Sequence, residues 1–212
     1  MTRSNITKEE LIEFEKRIAK YWREGRIPGP VHFSGGNEEQ LIRIFENISP
    51  DDWVLSTHRN HYHYLLAGGS KKKLEEIILA GDSMHVFDKS LKFLTSAIVA
   101  GVVGIAAGIA LGIKTKGELN RVWCFCGDGA EDEGHFYEAV RYVAGWDLPC
   151  TFIIEDNNRS VETPKSERYG RLPEMAWPKC VIRYYYTPTY PHVGDGSFVD
   201  FGKKNKLEKN SF

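Results

Sequence analysis

Apolar residues recur along the chain at two spacings, one typical of helices and one typical of buried strands. The capping box Thr7-x-x-Glu10 opens a first helix, which Gly25 ends. The apolar positions of this helix lie along one face: Leu11, Phe14, Ile18 and Trp22. The pattern therefore predicts an amphipathic helix packed on a core.

The same two spacings predict the remaining elements. Helices are expected over 37–48, 70–80 and 133–146, and strands over 53–56, 121–126, 150–155 and 181–186. Residues 81–92 are predicted to be an irregular loop. Strands that alternate with helices predict an α/β fold, with an open, mostly parallel sheet and helices on both faces. Such sheets bind ligands in the crevice beyond the carboxyl ends of their strands.

The segment 97–113 contains no charged residue and is close to the shortest length that spans a bilayer. It carries small residues at three- and four-residue spacing: Gly101, Gly104, Gly108 and Gly112. Because a strand and a helix of ordinary polarity follow, we do not expect a membrane span. We predict a helix buried on all sides, either within this fold or at a subunit interface.

Length and composition indicate one domain. The 212 residues divide into a helical N-terminal extension (1–50), a core (51–160) and an irregular C-terminal segment (161–212). The net charge of -1 gives no reason to expect nucleic acid or a membrane as partner. The polar N-terminus and the four cysteines, none in a CxxC pair, favour a cytoplasmic protein with reduced, buried thiols.

Two loops carry the candidate chemistry. Gly127-Asp128-Gly129-Ala130 follows one predicted strand, and Asn157 follows the next. If these strands are neighbours, Asp128 and Asn157 emerge side by side, and their oxygens suit Mg²⁺. The glycines let the backbone approach a diphosphate, and the helix that follows adds its positive N-terminal end. Gly-Asp-Gly alone is also a common turn, so the second loop carries the prediction.

Together these loops resemble a known motif. Gly127-Asp128-Gly129, followed later by Asp156-Asn157-Asn158, is similar to the motif of thiamine diphosphate enzymes. The segment 146–150 resembles the alpha subunit of the decarboxylating component of 2-oxo acid dehydrogenase complexes. Four upstream segments resemble the same family in the same order: 28–38, 58–61, 81–85 and 97–99. The resemblance covers about residues 10 to 160 and implies the thiamine diphosphate-binding fold.

The resemblance implies the cofactors thiamine diphosphate and Mg²⁺. The side chains of Asp128 and Asn157 and the backbone carbonyl of Arg159 would bind the metal, and an ungapped match favours Asn157 over Asn158. The loop 127–130 would lie against the diphosphate.

The resemblance also assigns roles to residues outside the metal loops. Arg59, His58 and His61 would face the diphosphate, while Ile98 and Val99 would lie at the aminopyrimidine ring. His85 would lie near the substrate, so that His61 and His85 are the catalytic candidates. The activity implied is oxidative decarboxylation of a 2-oxo acid, with a lipoyl acyltransferase as a possible acceptor.

Several features depart from the family or allow other interpretations. His58 replaces a tyrosine, and Asp82 replaces a glycine. By spacing, His58, His61 and His63 also suit a zinc cluster, whereas His135 and His192 are expected at the surface or in packing.

The chain ends well before the family's alpha subunits do. We therefore expect a diphosphate-binding half that needs a beta-type subunit, within a heterotetramer, to supply the pyrimidine-binding domain and its glutamate. The alternatives are the N-terminal half of a split transketolase-like enzyme and a shortened, non-catalytic relative.

Overall fold

A computed structural model describes residues 3–168 and 175–197. The helices of these residues are α1 (Lys8–Arg23), α2 (Glu38–Phe45), α3 (His61–Leu66), α4 (Lys71–Leu79), α5 (Gly101–Lys116), α6 (Gly134–Gly145) and α7 (Lys165–Arg168). The strands are β1 (Trp53–Ser56), β2 (Phe87–Asp88), β3 (Phe93–Thr95), β4 (Val122–Gly127), β5 (Cys150–Asp156), β6 (Arg159–Ser160), β7 (Thr163–Pro164) and β8 (Val181–Tyr185). Short 3₁₀ turns occupy Lys89–Leu91 and Ala130–Asp132.

The described residues form a six-stranded sheet in the order β2-β3-β1-β4-β5-β8. β2 is antiparallel to β3, and the other neighbouring pairs are parallel. The prediction of an open, mostly parallel α/β sheet is thus confirmed. β6 and β7 form a separate hairpin directly after β5.

Alternating side chains of the strands build two apolar layers, one on each face of the sheet. On one face, Val54, Phe125 and Ile153 pack with the residues of α1 to α4. On the other face, the neighbouring strand positions pack with α5 and α6: Leu55, Cys124, Cys126, Phe152 and Ile154. The central strands are therefore covered on both sides, as their apolar sequences predict.

The capping box of α1 is present as predicted. The Thr7 hydroxyl accepts a hydrogen bond from the Glu10 backbone N–H at 3.2 Å, and the Glu10 carboxylate accepts one from the Thr7 N–H at 3.0 Å. The four cysteines are free, and Cys124, Cys126 and Cys150 are buried as expected.

Part of the chain between β1 and α5 differs from the prediction. The irregular loop expected over 81–92 contains β2 and a 3₁₀ turn, and β3 and α3 are not among the predicted elements. β3 is only three residues long, and its place beside β1 depends on pairing that no local pattern reports. α3 reads His-Tyr-His-Tyr-Leu-Leu and is buried at every position, so it has no amphipathic period.

α5 is not buried on all sides within this chain. Its inner face packs in the second apolar layer, but Gly104 and Gly108 are exposed, as are Ile105 (45%) and Leu111 (37%). A Cβ added to Gly104, Gly108 or Gly112 would meet nothing within 4 Å. Among the described residues, none of the helices is both long enough and apolar enough to cross a membrane.

Candidate active site

A cleft lies where the central parallel strands end. β4 and β5 pair in register, with Gly127 opposite Glu155, so the loops that follow them leave the sheet side by side. The cleft has a cavity volume of about 190 Å³. Its walls come from the loop after β1, the turn before α5, the loops after β4 and β5, and the segment after β8. This is the edge of the sheet at which the sequence predicts ligand binding.

Asp128 lies between Gly127 and Gly129, two residues that line the cleft, and is only 1% exposed. Its Oδ2 accepts a hydrogen bond from Nη2 of Arg168 at 2.7 Å, whereas its Oδ1 is buried without a hydrogen-bond partner among residues 3–168 and 175–197. Burial, together with the negative charge of Asp156, raises the pKa of Asp128 to about 6, against the opposing charges of Arg168 and Lys165. A buried carboxylate oxygen without a partner fits the position of a metal ligand.

The second loop contains the two candidate asparagines. Asn157 is half-buried and lines the cleft, and its Oδ1 accepts a hydrogen bond from the Arg159 N–H at 3.0 Å. Asn158 is exposed, and its N–H donates to Oδ1 of Asp156 at 2.9 Å. The Asp156 carboxylate also binds Nη1 of Arg183 at 2.5 Å and Nζ of Lys165. Two cations thus bind the Asp156 carboxylate. By contrast, no described residue donates a hydrogen bond to Oδ1 of Asp128, so this oxygen can bind a metal ion.

The backbone of this loop is strained next to the cleft. Asn158 (φ 60°), Val161 (φ 57°) and Glu162 (φ 149°) all adopt positive φ angles that residues with a side chain rarely adopt. Each such conformation costs on the order of 1–3 kcal/mol, and such residues concentrate at functional sites. Arg159 to Glu162 also line the cleft. The strain therefore coincides with the predicted site.

The glycine loop after β4 allows close backbone approach. A Cβ added to Gly129 would lie 2.3 Å from Oγ of Ser160 and 2.7 Å from its Cβ, so only glycine fits without moving the second loop. Gly127, Gly129 and Ala130 line the cleft. α6 begins at Gly134, after the 3₁₀ turn Ala130–Asp132.

Most of the other predicted cofactor residues reach the cleft. His58 and Arg59 line it, and Nε of Arg59 donates to the Phe33 carbonyl at 3.0 Å. Ile98 and Val99 also line it and remain exposed, at 73% and 44%. The Val99 carbonyl lies 3.3 Å from Nε2 of His135, a residue for which the sequence indicates no role in the site.

The two catalytic candidates lie elsewhere. His61 is fully buried under the cleft: its Nδ1 lies 2.9 Å and 3.0 Å from the two carboxylate oxygens of Glu15, and its Nε2 lies 2.9 Å from Oγ of Ser83. His61 is thus not among the described residues that line the cleft. His85 is exposed and is not a wall of the cleft, although the preceding residue, Met84, is.

The zinc cluster considered from spacing alone is not assembled. Nδ1 of His63 lies 2.6 Å from Oγ of Ser56, and its Nε2 lies 3.2 Å from the Glu155 carboxylate. Because His61 and His63 each bind different partners in the interior, neither points toward His58. Burial of α3 directs these two rings into the core.

The structure instead assembles a different group of histidines. His32, His58 and His192 meet at the cleft wall, with ring centroids 4.4 Å (32 to 58), 4.6 Å (32 to 192) and 5.2 Å (58 to 192) apart. Burial is the main cause that lowers the pKa of His32, to about 4, and it also lowers those of His58 and His192. From the sequence, His192 is expected at the surface or in packing, and no role is predicted for His32. The segment 28–38, which carries part of the resemblance, contains His32 and is the signal that could have identified it.

The chain is similar to proteins of one family over most of its length. The family model described as "Dehydrogenase E1 component" matches residues 7–176. The alpha subunit of acetoin:2,6-dichlorophenolindophenol oxidoreductase from Bacillus subtilis (strain 168) is 32% identical over 165 residues, which are 73% of this chain and 50% of that protein. The pyruvate dehydrogenase E1 component subunit alpha of Rickettsia bellii (strain RML369-C) is 32% identical over 163 residues, 72% of this chain and 50% of its own length. The equivalent subunit of Porphyra purpurea is 28% identical over 198 residues, 81% of this chain and 57% of its own length. The chain spans about half the length of these relatives.

Proposed function

This chain belongs to the dehydrogenase E1 component family, and from that membership we propose that it is the diphosphate-binding part of an alpha-type subunit of a thiamine diphosphate-dependent 2-oxo acid dehydrogenase. The reaction proposed is oxidative decarboxylation of a 2-oxo acid with a beta-type partner. Family membership favours this function over half of a split transketolase-like enzyme. The four free cysteines suit the reducing cytoplasm, which is the location we propose.

The observation that carries the proposal is the pair of oxygens at the ends of β4 and β5. Oδ1 of Asp128 is buried and has no hydrogen-bond partner in the described part of the chain, and Asn157 lines the cleft in the adjacent loop. A carboxylate and an amide oxygen suit Mg²⁺, which also binds phosphate oxygens. We assign the metal to Asp128, Asn157 and the backbone carbonyl of Arg159. When bound, thiamine diphosphate supplies the carbanion-stabilising chemistry of the reaction.

The other walls of the cleft suit the remaining parts of the cofactor. Arg59 offers a guanidinium that matches phosphate oxygens, with His58 beside it. The backbone of 127–130 provides N–H groups in a loop that lacks bulky side chains. Ile98 and Val99 provide an apolar surface for the aminopyrimidine ring. His85 is retained as a candidate near the substrate, whereas His61, which is fully buried, is assigned a positioning role beneath the cleft.

The proposal includes a beta-type subunit that completes the site. The cleft volume of about 190 Å³ is below the roughly 300–1,000 Å³ of typical ligand pockets. Ile98 and Val99 line the cleft and are exposed, and Gly104 and Gly108 of α5, the helix that follows them, are exposed as well. A partner that covers these surfaces would enclose the cofactor and supply the carboxylate that its pyrimidine ring needs. The proposal also includes assembly into a heterotetramer and transfer of the acyl group to a lipoyl acyltransferase.

Calorimetry and activity assays test the proposal together. We expect thiamine diphosphate to bind only when Mg²⁺ is present, with binding lost in Asp128→Asn. We expect turnover only after reconstitution with the beta-type subunit. Pyruvate, which would be decarboxylated, and acetoin, which has no carboxylate and would be cleaved without loss of carbon dioxide, are the substrates to compare first, because relatives are named for both. Decarboxylation by the purified chain alone would contradict the proposal that this chain supplies only part of the active site. Absence of cofactor binding by both chain and complex would favour a non-catalytic relative.

A further inference from the structure

Three histidines from distant parts of the chain converge on one wall of the cleft. His32 precedes α2, His58 follows β1, and His192 follows β8. One ring nitrogen of each lies within 4.8 Å of those of the other two. His32 is 6% exposed, and the other two are half-buried, so the group is sheltered but reachable from the cleft.

The hydrogen bonding of His32 matches that of a metal ligand. Its Nδ1 lies 2.6 Å from the backbone carbonyl of His192, which can only accept, so Nδ1 carries the proton. Nε2 of a neutral ring is then left with a free lone pair. Histidines that bind metals usually donate their other N–H to a carbonyl or a carboxylate in this way.

Charged groups of both signs lie beside the three rings. The Arg59 guanidinium is close enough to lower the pKa of all three histidines, and it disfavours a bound cation. The Glu162 residue is 6% exposed; its carboxylate accepts the backbone N–H of His192 and lies 3.5 Å from Nη1 of Arg159. A buried carboxylate is thus hydrogen-bonded to the backbone of one of the histidines.

We propose that His32, His58 and His192 form a binding site for a divalent transition-metal ion of the zinc type. Zn²⁺ binds imidazole nitrogens at about 2.0–2.1 Å in tetrahedral sites, so ligand nitrogens lie roughly 3.4 Å apart. The observed spacing of the three nitrogens, within 4.8 Å, needs only small rotations of the half-buried rings. Three protein ligands leave the fourth position open to water or to a ligand in the cleft.

This site differs in chemistry from the magnesium site proposed above. Three imidazole nitrogens favour zinc, copper or nickel, whereas the oxygens of Asp128 and Asn157 favour Mg²⁺. The two sites share one cleft, since His58, His192 and Asn157 all line it. An ion held by the histidines therefore lies where it can interfere with cofactor entry, and zinc is expected to inhibit thiamine diphosphate binding.

Metal titration of the full chain tests the proposal without relying on enzyme activity. In excess Mg²⁺, Co²⁺ should give the intense visible absorption of a tetrahedral site, and Zn²⁺ should abolish it. His192→Ala and His58→Gln should each weaken Zn²⁺ binding, measured by calorimetry, by at least about tenfold. His135→Ala, an exposed histidine outside the group, is the matched control and should bind Zn²⁺ as the unaltered chain does.

X-ray absorption spectroscopy of the zinc-loaded, unaltered chain provides a measurement that needs no variant to fold. Scattering from several imidazole rings around zinc supports the site. A shell of oxygens alone overturns it, because the ion would then be bound by carboxylates. Folded His192→Ala and His58→Gln chains that bind Zn²⁺ with unchanged affinity overturn it equally. Because the readouts are zinc affinity and ligand type, they are independent of whether thiamine diphosphate binds.

Discussion

Nη2 of Arg168 lies 2.7 Å from Oδ2 of Asp128, the carboxylate that we assign to the metal. The same guanidinium lies 3.0 Å from Asp132 through Nη1, and the Arg168 side chain is only 10% exposed. A cation from the chain itself therefore neutralises the site when no metal is bound. Arg168 must share this carboxylate with a metal ion or release it.

Arg168→Gln is expected to strengthen metal binding. Removing the competing positive charge leaves the buried Asp128 carboxylate less fully compensated, so its affinity for a divalent cation should rise by about tenfold, which is about 1.4 kcal/mol. Mn²⁺ titration followed by electron paramagnetic resonance measures this change. Arg141→Gln, at an exposed position on α6, is the control and should leave Mn²⁺ affinity unchanged. Weaker binding in Arg168→Gln would indicate that the guanidinium supports the metal site.

The two asparagines of the second loop are expected to differ in their effect on Mg²⁺-dependent binding. Asp128→Ala should abolish the binding of thiamine diphosphate, and Asn157→Ala should weaken it strongly because Asn157 lines the cleft. Asn158→Ala should have much less effect, since Asn158 is exposed. Calorimetry in the presence of Mg²⁺ measures all three variants. A larger loss in Asn158→Ala than in Asn157→Ala would move the metal ligand by one residue.

Gly129→Ala is expected to weaken cofactor binding by at least about tenfold, because its Cβ would lie 2.3 Å from Oγ of Ser160 and displace the second loop. Gly134→Ala is the control, since a Cβ there would meet nothing within 4 Å. The double variant Gly129→Ala/Ser160→Gly removes both clashing atoms of Ser160 and should recover most of the affinity. Failure to recover would mean that Gly129 acts through something other than this contact.

Glu15 is expected to be required for stability rather than for chemistry. The carboxylate is fully buried and accepts from the Ser34 N–H at 2.5 Å and from Nδ1 of His61. Glu15→Ala leaves both groups buried without an acceptor and should lower the free energy of unfolding by roughly 3–5 kcal/mol. Urea unfolding measures this, with Glu13→Ala, at an exposed position of the same helix, as the control. Unchanged stability with lost activity would restore His61 as a catalytic candidate.

Asp88 is expected to make stability depend on acidity. Burial alone would raise the pKa of Asp88, but hydrogen bonds from Lys73 (2.7 Å), Ser90 (2.6 Å) and Tyr64 (3.0 Å) outweigh it and hold the pKa below its usual range. Because the folded state favours the charged form, the stabilisation is present above the unfolded pKa of about 3.9 and is lost as the pH falls below it. Asp88→Asn should lower the free energy of unfolding at pH 7 by about 1–3 kcal/mol. The variant should also lose less stability than the unaltered chain when the pH is lowered.

The matched control for that measurement is Asp51→Asn, whose side chain is 86% exposed. Unfolding curves recorded at several pH values for both variants should separate them: Asp51→Asn should follow the unaltered chain. An Asp88→Asn chain that loses as much stability in acid as the unaltered chain would contradict the conclusion that Asp88 causes this loss.

The sequence by itself determined the parallel sheet, the central strands and the loops that follow them. Uninterrupted apolar runs predict β4 and β5, because strands buried on both faces need no polar alternation. Once these strands are neighbours, the loops that contain Asp128 and Asn157 must lie together, since parallel strands end at the same edge. Local capping residues determined the start of α1 in the same way.

Only the tertiary structure decided which side chains meet. Three contacts join residues that are distant in sequence: Glu15 with His61, Arg168 with Asp128, and His32 with His192. No periodicity of the sequence predicts such pairs. α3 is buried all round, so the packing of the helices and the sheet, rather than any local pattern, turns His61 inward and away from the cleft. Side-chain direction depends on how elements pack against one another, and that is settled by the whole core rather than by the residues near each side chain.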